Sequence, residues 1–315
     1  MEWFICHQSA LEFWRKSLAK EALAGKKVQP RSLSTKPMVI KGYPVEDSPG
    51  LSMPIHILVG SENARKVSKR YTSHISSGQF PSGSFIKAVP GLIVSSPELC
   101  FIQMASELSL IKLIMLGFEL CGTYRLDPAN EPERGFRDDQ PLTSVAKLDT
   151  YVAKATGLKG RTKARRALRY IADNSASPME TALAMLLTLP YQLGGYGFPM
   201  PLLNCRIDIK TDVRRAANKS RLYCDLYWPD MQVDVEYDSD TYHAKPDRIA
   251  KDATRRNALI SVGVNVITVS RRQIVNTGEL RKVAEVLGKL LGKRLQYPKK
   301  FLMQHALLRQ ELFGR

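Results

Sequence analysis

The sequence predicts a mixed α/β fold in two domains, and three observations support this prediction. The apolar fraction is 44%, which is typical of a globular chain with a packed core. Segments with strand periodicity alternate with segments with helical periodicity in both halves of the chain. From residue 177 onward the predicted order is helix, three strands, helix, strand and helix, which describes a second domain with its own sheet.

The first domain is predicted over residues 1–140 and carries no motif with an identifiable chemistry. Ser9 and Glu12 have the spacing of a capping box, which predicts a helix from there to about residue 24. Ser96 followed by Pro97 predicts the N-terminus of a second, long helix. The strands expected between these helices cover residues 54–60 and 84–96.

A basic helical connector is predicted over residues 143–174, after a polar, proline-bearing stretch that is the best linker candidate, residues 127–142. The second helix of this connector has an apolar stripe formed by Ala164, Ala167, Leu168 and Ile171. Basic side chains with no acid among them cover most of its remaining surface. They form either a solvated face or a phosphate-binding surface, since like charges at this spacing repel one another unless a partner offsets them. The predicted phosphate contacts are Arg165, Arg166 and Arg169.

The net charge of +17 is unevenly distributed and favours a polyanionic partner. Residues 1–150 contain 18 basic and 15 acidic side chains, a balance of +3, whereas residues 151–315 contain 29 and 15, a balance of +14. This asymmetry favours nucleic acid as the partner over a merely highly charged soluble surface.

Membrane insertion and secretion are not expected. The most apolar segment, residues 108–122, is short and contains two charged residues, which is typical of a core helix. The first ten residues lack the basic region and apolar run of a signal peptide. Five scattered cysteines without a CxxC pair indicate reduced thiols in a cytoplasmic protein rather than disulfides or a zinc site.

Carboxylates recur along a predicted strand that begins the stretch "VDVEYDSDTYH", residues 233–243. Asp234 and Glu236 alternate with apolar residues at the period of a strand, and Asp234 is expected toward the exposed end. Asp225 interrupts the preceding strand, so Asp225 and Glu236 are expected to face one another across a tight turn. Two such carboxylates repel each other unless a cation lies between them. Oxygen ligands at this density predict Mg²⁺ or Mn²⁺, which activates water and stabilises charge on a phosphoryl group.

Residues 175–292 resemble the PD-(D/E)XK nuclease superfamily, in particular the branch akin to very-short-patch repair endonucleases. Relatives in this branch often have E-x-D-G and a nearby His, then D-x-x-R before an apolar helix, then a G-x-x-V strand. This chain has "EYDSDTYH", "DATRR" and "GVNVI" in the same order. The resemblance implies a restriction-endonuclease-like core in a nuclease domain at residues 175–315: a helix, a three-stranded antiparallel meander, a helix and a strand.

The resemblance also implies an activity and its residues. It implies a metal-dependent endonuclease that acts on DNA in preference to RNA, in bacterial defence or repair. Glu180 matches the acid of the first core helix, Asp225 the Asp of the second strand, and Glu236 and Asp238 the E-x-D of the third. Glu180, Asp225 and Glu236 would hold the cation, and His243 would position or deprotonate the attacking water.

Two of these assignments have a competing interpretation. Glu180 is at the fourth position of "SPME", a capping box begun by Ser177, so it either caps the helix or binds the metal. Asp238 stands where the better-known E-x-K motif has a lysine. A cation from the following segment would have to take the place of that lysine. The candidates for this role are Lys245, Lys251, Arg255 and Arg256.

The expected nucleic-acid contacts include these four cations, together with Arg214 and Arg215 from the segment between the first two strands. Because the lysine is absent, a non-catalytic nucleic-acid-binding module on a decayed nuclease scaffold is an alternative to the enzyme. A toxin-like ribonuclease on the same fold is a second alternative. For the assembly, the expectation is a homodimer or a partner protein of a defence system.

Overall fold

The structure is a computed structural model that divides into two compact units. The first comprises Met1–Cys121 and Arg125–Ile171, and the second Gly122–Tyr124 and Ala172–Arg315. The residues described are 2–16, 26–28, 33, 51–65, 68–76, 79–127, 129, 131, 133–208, 221–238 and 246–314, without the side chains of 208, 221 and 246–252. Each unit combines helices with a mixed sheet, which confirms the predicted mixed α/β class.

A six-stranded sheet forms the centre of the first unit. Its strands are β1 (Trp3–Ile5), β2 (Lys27–Val28), β3 (Ile55–Val59), β4 (Tyr71–Ile75), β5 (Phe85–Val89) and β6 (Leu92–Ser95). They are ordered β2-β5-β6-β1-β3-β4, with β1 parallel to β6 and β3 parallel to β4. The strands β1, β3 and β6 in the middle of this sheet are almost fully buried, as expected for strands covered on both faces.

Five helices are described in the first unit: α1 (His7–Trp14), α2 (Pro97–Met104), α3 (Leu110–Cys121), α4 (Val145–Lys154) and α5 (Arg161–Leu168). Ser96 Oγ accepts a hydrogen bond from Leu99 N–H, which confirms the predicted N-cap, although the long helix is two helices. Ser9 does not cap α1, because Cys6 precedes the helix and Ser9 Oγ instead accepts a hydrogen bond from His56 N–H at 2.9 Å.

The connector predicted over residues 143–174 is not a separate element. Helices α4 and α5 pack against α2 and α3 and belong to the first unit through Ile171. The apolar stripe of α5 is buried as predicted, and a Cβ at Gly117 would overlap the side chain of Ile171. The stretch 127–142 is not a linker either, since Arg137 forms ion pairs with Asp127 and Asp139. It contains β8 (Phe136–Asp138), which pairs with β7 (Tyr124–Leu126).

The elements of the second unit follow the order that the sequence predicts, with two further helices, one directly after the last strand and one at the end. They are α6 (Pro178–Thr188), β9 (Leu202–Asp208), β10 (Arg221–Trp228), β11 (Val233–Asp238), α7 (Pro246–Ser261), β12 (Asn265–Ser270), α8 (Arg271–Val275), α9 (Thr277–Leu290) and α10 (Phe301–Phe313). The sheet is ordered β12-β11-β10-β9, in which β9, β10 and β11 are antiparallel and β12 is parallel to β11.

Apolar packing holds helix and sheet together in this unit. Leu222 and Cys224 on β10 belong to a buried cluster with Ala258 and Leu259 on α7 and with Val264 before β12. Complete burial of a large apolar side chain such as Leu or Val stabilises the folded state by about 1.5–3 kcal/mol. The cluster fixes α7 against the sheet beside the carboxylates of β11. Within the described part of the chain, none of the helices has the length and apolarity that a membrane crossing requires.

Candidate active site

Carboxylates from three elements meet in the second unit. Tyr227 on β10 pairs with Asp234 on β11, and Asp225 and Glu236 each lie two residues further from the turn. Asp225 Oδ2 accepts a hydrogen bond from Tyr237 N–H at 2.8 Å, which ties β10 to β11 at this point. The electrostatically interacting carboxylates are Glu180 on α6, Asp225 on β10, and Asp234 and Glu236 on β11.

The carboxylates of β11 are buried without full hydrogen bonding. Asp234 is 0% exposed and Glu236 is 5% exposed. Both oxygens of Asp234 and Oε1 of Glu236 have no hydrogen-bond partner among the described residues outside the group of Cys224, Asp234 and Glu236. The thiol of Cys224 and one oxygen of each of these two acids all lie within 4.8 Å of one another. Buried carboxylates in this state are unfavourable unless they are protonated or bind a cation.

The pKa values of all four acids are raised. Burial, then the charge of Asp225, then the hydrogen bond and charge of Asp234, raises the pKa of Glu236 to about 10. Burial raises the pKa of Asp234 to about 6. Burial, then the charge of Asp225, raises the pKa of Glu180 to about 7, and burial raises that of Asp225. The metal-free cluster is therefore partly protonated at neutral pH.

Arg255 is the described cation that contacts this cluster. Its Nη2 donates a hydrogen bond to Glu236 Oε2, and Nη1 donates one to the carbonyl of Tyr223 at 3.4 Å. Arg256 is exposed on α7. Of the four cations expected near the site, Arg255 therefore pairs with a site carboxylate, whereas Lys245 and the side chain of Lys251 lie outside the described residues.

Glu180 has the contacts of a helix cap and also lies near another acid. Ser177 Oγ accepts a hydrogen bond from Glu180 N–H at 3.1 Å, as an N-cap does. The Glu180 carboxylate accepts hydrogen bonds from Ser177 Oγ, from Ala176 N–H at 3.0 Å and from Asn204 Nδ2 at 2.8 Å. The charge of Asp225 nevertheless raises the pKa of Glu180. The two interpretations of Glu180 are thus compatible in this geometry.

Glu180→Gln separates the two roles. The amide can still accept the hydrogen bonds from Ala176 and Asn204, so the free energy of unfolding should change by at most about 1 kcal/mol. A neutral amide binds a divalent cation poorly, so the nuclease activity that the resemblance implies should fall at least about tenfold. Cleavage assays and thermal melts check both expectations. Glu279→Gln is the matched control, because Glu279 has the same place after the N-cap Asn276 of α9. Full activity in Glu180→Gln would show that Glu180 caps the helix and does not bind the metal.

The remaining predicted residues are outside this cluster or outside the described residues. Asp238 is half-buried at the end of β11, paired with Ser270 of β12. It does not belong to any described group of potential metal ligands. Arg165, Arg166 and Arg169 are exposed in the first unit. His243, Arg214, Arg215 and Lys245 lie outside the described residues.

Sequence reasoning missed two members of the site. Asp234 was expected toward the exposed end of its strand, and this is wrong, because the residue is completely buried. The parallel pairing of Asp234 with Val266 places it in an interior strand of the sheet. The sequence alone does not single out Cys224, which lies beside Asp225. A cysteine directly beside an acid within a strand is the sequence signal that could have identified Cys224 as a member of the site.

Two distant relatives match the chain, and the name of neither states a function. Neither a protein-family model nor a solved structure matches the chain. Two curated proteins of Mycobacterium tuberculosis do match: "Uncharacterized protein MT2308" of strain CDC 1551 / Oshkosh and "Uncharacterized protein Rv2248" of strain ATCC 25618 / H37Rv. Each is 22% identical over 187 residues, which are 59% of this chain and 58% of the relative. The match thus spans less than two thirds of the length of these relatives.

Proposed function

We propose that this chain is a metal-dependent endonuclease that hydrolyses phosphodiester bonds in nucleic acid, with DNA as the favoured substrate. The observation that carries the proposal is the cluster of Glu180, Asp225, Asp234 and Glu236, with three buried carboxylate oxygens that lack a described partner outside the group of Cys224, Asp234 and Glu236. Such a cluster destabilises the folded state unless a bound ligand neutralises its charge. A divalent cation is a ligand of the required charge.

The donor set fits Mg²⁺ or Mn²⁺. Carboxylate oxygens are the ligands that these hard cations prefer. Glu180, Asp225 and Glu236 would hold the ion, and Asp234 would add negative charge behind them. When bound, the ion would activate a water molecule and stabilise charge on the phosphoryl group. The adjacent thiol of Cys224 is a soft ligand, which favours Mn²⁺ over Mg²⁺ in affinity.

Arg255 is suited to replace the missing lysine of the E-x-K motif. It contacts Glu236 and is partly exposed, so its guanidinium can reach a bound phosphate as well as the carboxylate. A planar guanidinium binds a phosphate through two hydrogen bonds and stays charged at any physiological pH.

Arg255→Gln should lower cleavage by roughly 100-fold or more, because it removes a charge that stabilises the transition state. Arg256→Gln is the matched control, since Arg256 is the next residue on the same helix and is exposed. The measurement is the single-turnover rate of both variants. Equal rates in Arg255→Gln and the wild type would remove Arg255 from the proposed site.

One observation favours the non-catalytic alternative. In the absence of metal, Arg255 already pairs with Glu236 and offsets part of the negative charge of the cluster. A site partly neutralised in this way can bind nucleic acid through surrounding basic residues without cleaving it. Purified protein incubated with plasmid, linear duplex, single-stranded DNA and RNA, each with Mg²⁺, Mn²⁺ or EDTA, separates these functions. The proposal expects metal-dependent products from DNA; products from RNA alone would indicate a ribonuclease. Salt-sensitive binding without any products would contradict the enzyme.

The exposed arginines of α5 test the predicted phosphate contacts. If they bind the backbone, affinity should fall with salt with a log–log slope of about −0.7 to −0.9 per phosphate. Replacing all three with Gln keeps the helix and should reduce this slope by roughly one to three units, equally for every sequence tested. Filter binding or fluorescence anisotropy at several salt concentrations measures the slope. The residues to replace are Arg165, Arg166 and Arg169.

The control for this experiment is a pair of basic residues that are already neutralised. Arg281 forms an ion pair with Glu285, and Lys282 forms one with Glu279, on the exposed face of α9. Replacing Arg281 and Lys282 with Gln should leave the slope almost unchanged. If both sets of variants change the slope equally, overall charge rather than the surface of α5 determines the affinity.

A further inference from the structure

A cavity of about 410 Å³ lies within the first unit, where the sequence indicates no chemistry. It is lined mainly by residues of α1, β3, β4 and α2 and by the turn between α4 and α5. Its volume is in the range of about 300–1,000 Å³ that is typical of small-molecule sites. Inorganic phosphate alone would fill a small part of this volume, so the cavity has room for an organic ligand.

The imidazole of His7 lines this cavity with an unsatisfied polar atom. His7 is 8% exposed, and its buried Nδ1 has no hydrogen-bond partner among the described residues. Burial, with smaller effects from His74, His56 and Lys159, lowers the pKa of His7 to about 3, so the neutral ring carries one N–H. With this hydrogen on Nδ1, the ring can donate it to an acceptor in the cavity. His7 is also the first residue of α1, where the helix dipole places partial positive charge.

The surrounding contacts hold His7 in a fixed, unusual conformation. Its φ is +47°, which is uncommon for a residue with a side chain. Its backbone N–H donates a hydrogen bond to Gln103 Oε1 at 3.1 Å, which leaves the amide nitrogen of Gln103 for another acceptor. Its ring stacks on that of His74 with centroids 3.6 Å apart, and His74 in turn shares a hydrogen bond with His56. Such strain persists where the surrounding structure enforces a particular side-chain position.

Two cations, Arg65 and Lys159, line the same cavity. The turn that carries Lys159 is pressed against α2, because a Cβ at Gly160 would lie 2.2 Å from a backbone carbonyl of that helix. Arg65 also pairs with the exposed Glu62, whereas Lys159 has no ion-pair partner among the described residues. Among the described lining residues, the exposed Glu107 is the one acid, so the cations outnumber the acids and favour an anionic ligand.

The rest of the lining suits an aromatic body that also forms hydrogen bonds. Phe80 packs edge-on against Phe85 with ring centroids 5.0 Å apart, and this contact holds its ring at the cavity wall. A planar base can stack on such a ring. The hydroxyl groups of Ser76 and Ser106 and the amide of Gln103 also line the cavity, and they can pair with the polar edge of a base or with a ribose.

We propose that this cavity binds a small phosphorylated ligand of the nucleoside monophosphate class. The phosphate would accept hydrogen bonds from Lys159, Arg65 and His7 Nδ1–H, of which those from the cations are charge-assisted and therefore strong. The cations lie within electrostatic range of the histidine pair, since the charge of Lys159 contributes to the lowered pKa of His7 and of His74, and that of Arg65 to the lowered pKa of His74. This site is independent of the proposed nuclease site, because all the residues that line it belong to the first unit.

Calorimetric titration of the full-length protein in EDTA tests the site. The probes are the four ribonucleoside monophosphates, with the four nucleosides and inorganic phosphate as comparisons. The proposal expects about one equivalent of the tightest nucleotide, bound at least about tenfold more tightly than its nucleoside or phosphate, since each of these lacks half of the contacts. Lys159→Gln should weaken nucleotide binding at least about tenfold, because a charge-assisted hydrogen bond is lost. His7→Asn, which tolerates the positive φ, should weaken it about three- to tenfold.

The matched control is Lys154→Gln, because Lys154 is an exposed lysine at the end of α4 that does not line the cavity. It should bind the nucleotide as the wild type does, and circular dichroism and the Tm establish that each variant is folded. Since Lys159 is exposed, its replacement keeps the test valid even if His7→Asn does not fold.

Proton NMR of the histidine rings locates the bound nucleotide. The resonances of His7 and His74 should shift on saturation, whereas that of His305, which is buried in the second unit, should not. Failure of all four nucleotides to bind the folded protein would overturn the proposal, as would unshifted His7 and His74 resonances. Equal losses of affinity in Lys154→Gln and Lys159→Gln, or phosphate that binds as tightly as the nucleotides, would also overturn it.

Discussion

Asp225→Asn and Glu236→Gln should each abolish metal-dependent cleavage while nucleic-acid binding remains. Both changes keep the shape of the side chain and remove the charge that would hold the cation. A bound metal stabilises the transition state by several kcal/mol. Because each 1.4 kcal/mol corresponds to about a factor of ten in rate, loss of the metal should lower the cleavage rate at least about 100-fold. Binding should persist or become tighter, because a negative charge near the phosphate is lost. Single-turnover cleavage and anisotropy titrations measure the two effects.

Asp230→Asn is the matched control for these variants. Asp230 lies in the turn between β10 and β11 and is exposed, so its removal changes the net charge equally without touching the cluster. It should cleave at the wild-type rate. Wild-type cleavage by Asp225→Asn would exclude Asp225 as a ligand, and loss of activity in Asp230→Asn as well would point to charge rather than to metal binding.

Asp234→Asn should stabilise the metal-free protein. Asp234 is fully buried, and its oxygens have no described hydrogen-bond partner other than the side chains of Glu236 and Cys224. Burial raises the pKa of this carboxyl to about 6, so at about pH 8 the folded state carries an unfavourable buried charge that the amide lacks. One pKa unit is worth about 1.4 kcal/mol, so the free energy of unfolding in EDTA should rise by about 1–3 kcal/mol. Denaturant unfolding in EDTA measures it.

The pH dependence of stability should follow from the same acids. Asp234, Glu236 and Glu180 have raised pKa values in the folded state and ordinary values near 4 when unfolded. Between these values the folded state binds more protons, so the free energy of unfolding falls as pH rises. In EDTA, the wild type should therefore lose stability from about pH 5 to about pH 9, and Asp234→Asn should lose less. Mg²⁺ should restore stability at the alkaline end. A destabilised Asp234→Asn in EDTA would contradict this account.

The sequence predicts the second unit well because its signals are local. Strand periodicity and the Pro229–Asp230 turn define β10 and β11, and capping residues define the start of α6. The apolar stripe of α5 is also found where its helical spacing predicts it. Each of these features depends on residues within a few positions of one another.

The errors concern features that depend on distant parts of the chain. The polar and basic residues of α4 and α5 suggest a connector between two domains. The apolar stripes of the same two helices, however, pack against α2 and α3. Asp234 is buried because β12 pairs beside β11, and the sequence does not specify that neighbour.

Diffraction from crystals containing Mn²⁺ tests the central claim most directly. Data collected near the manganese absorption edge locate the ion without reference to activity. The account predicts an anomalous peak among the carboxylates of Glu180, Asp225 and Glu236, with Asp234 behind them, and predicts that the peak disappears in Glu236→Gln crystals. A fully occupied Mn²⁺ ion elsewhere in an active protein, with these carboxylates free of metal, would contradict it.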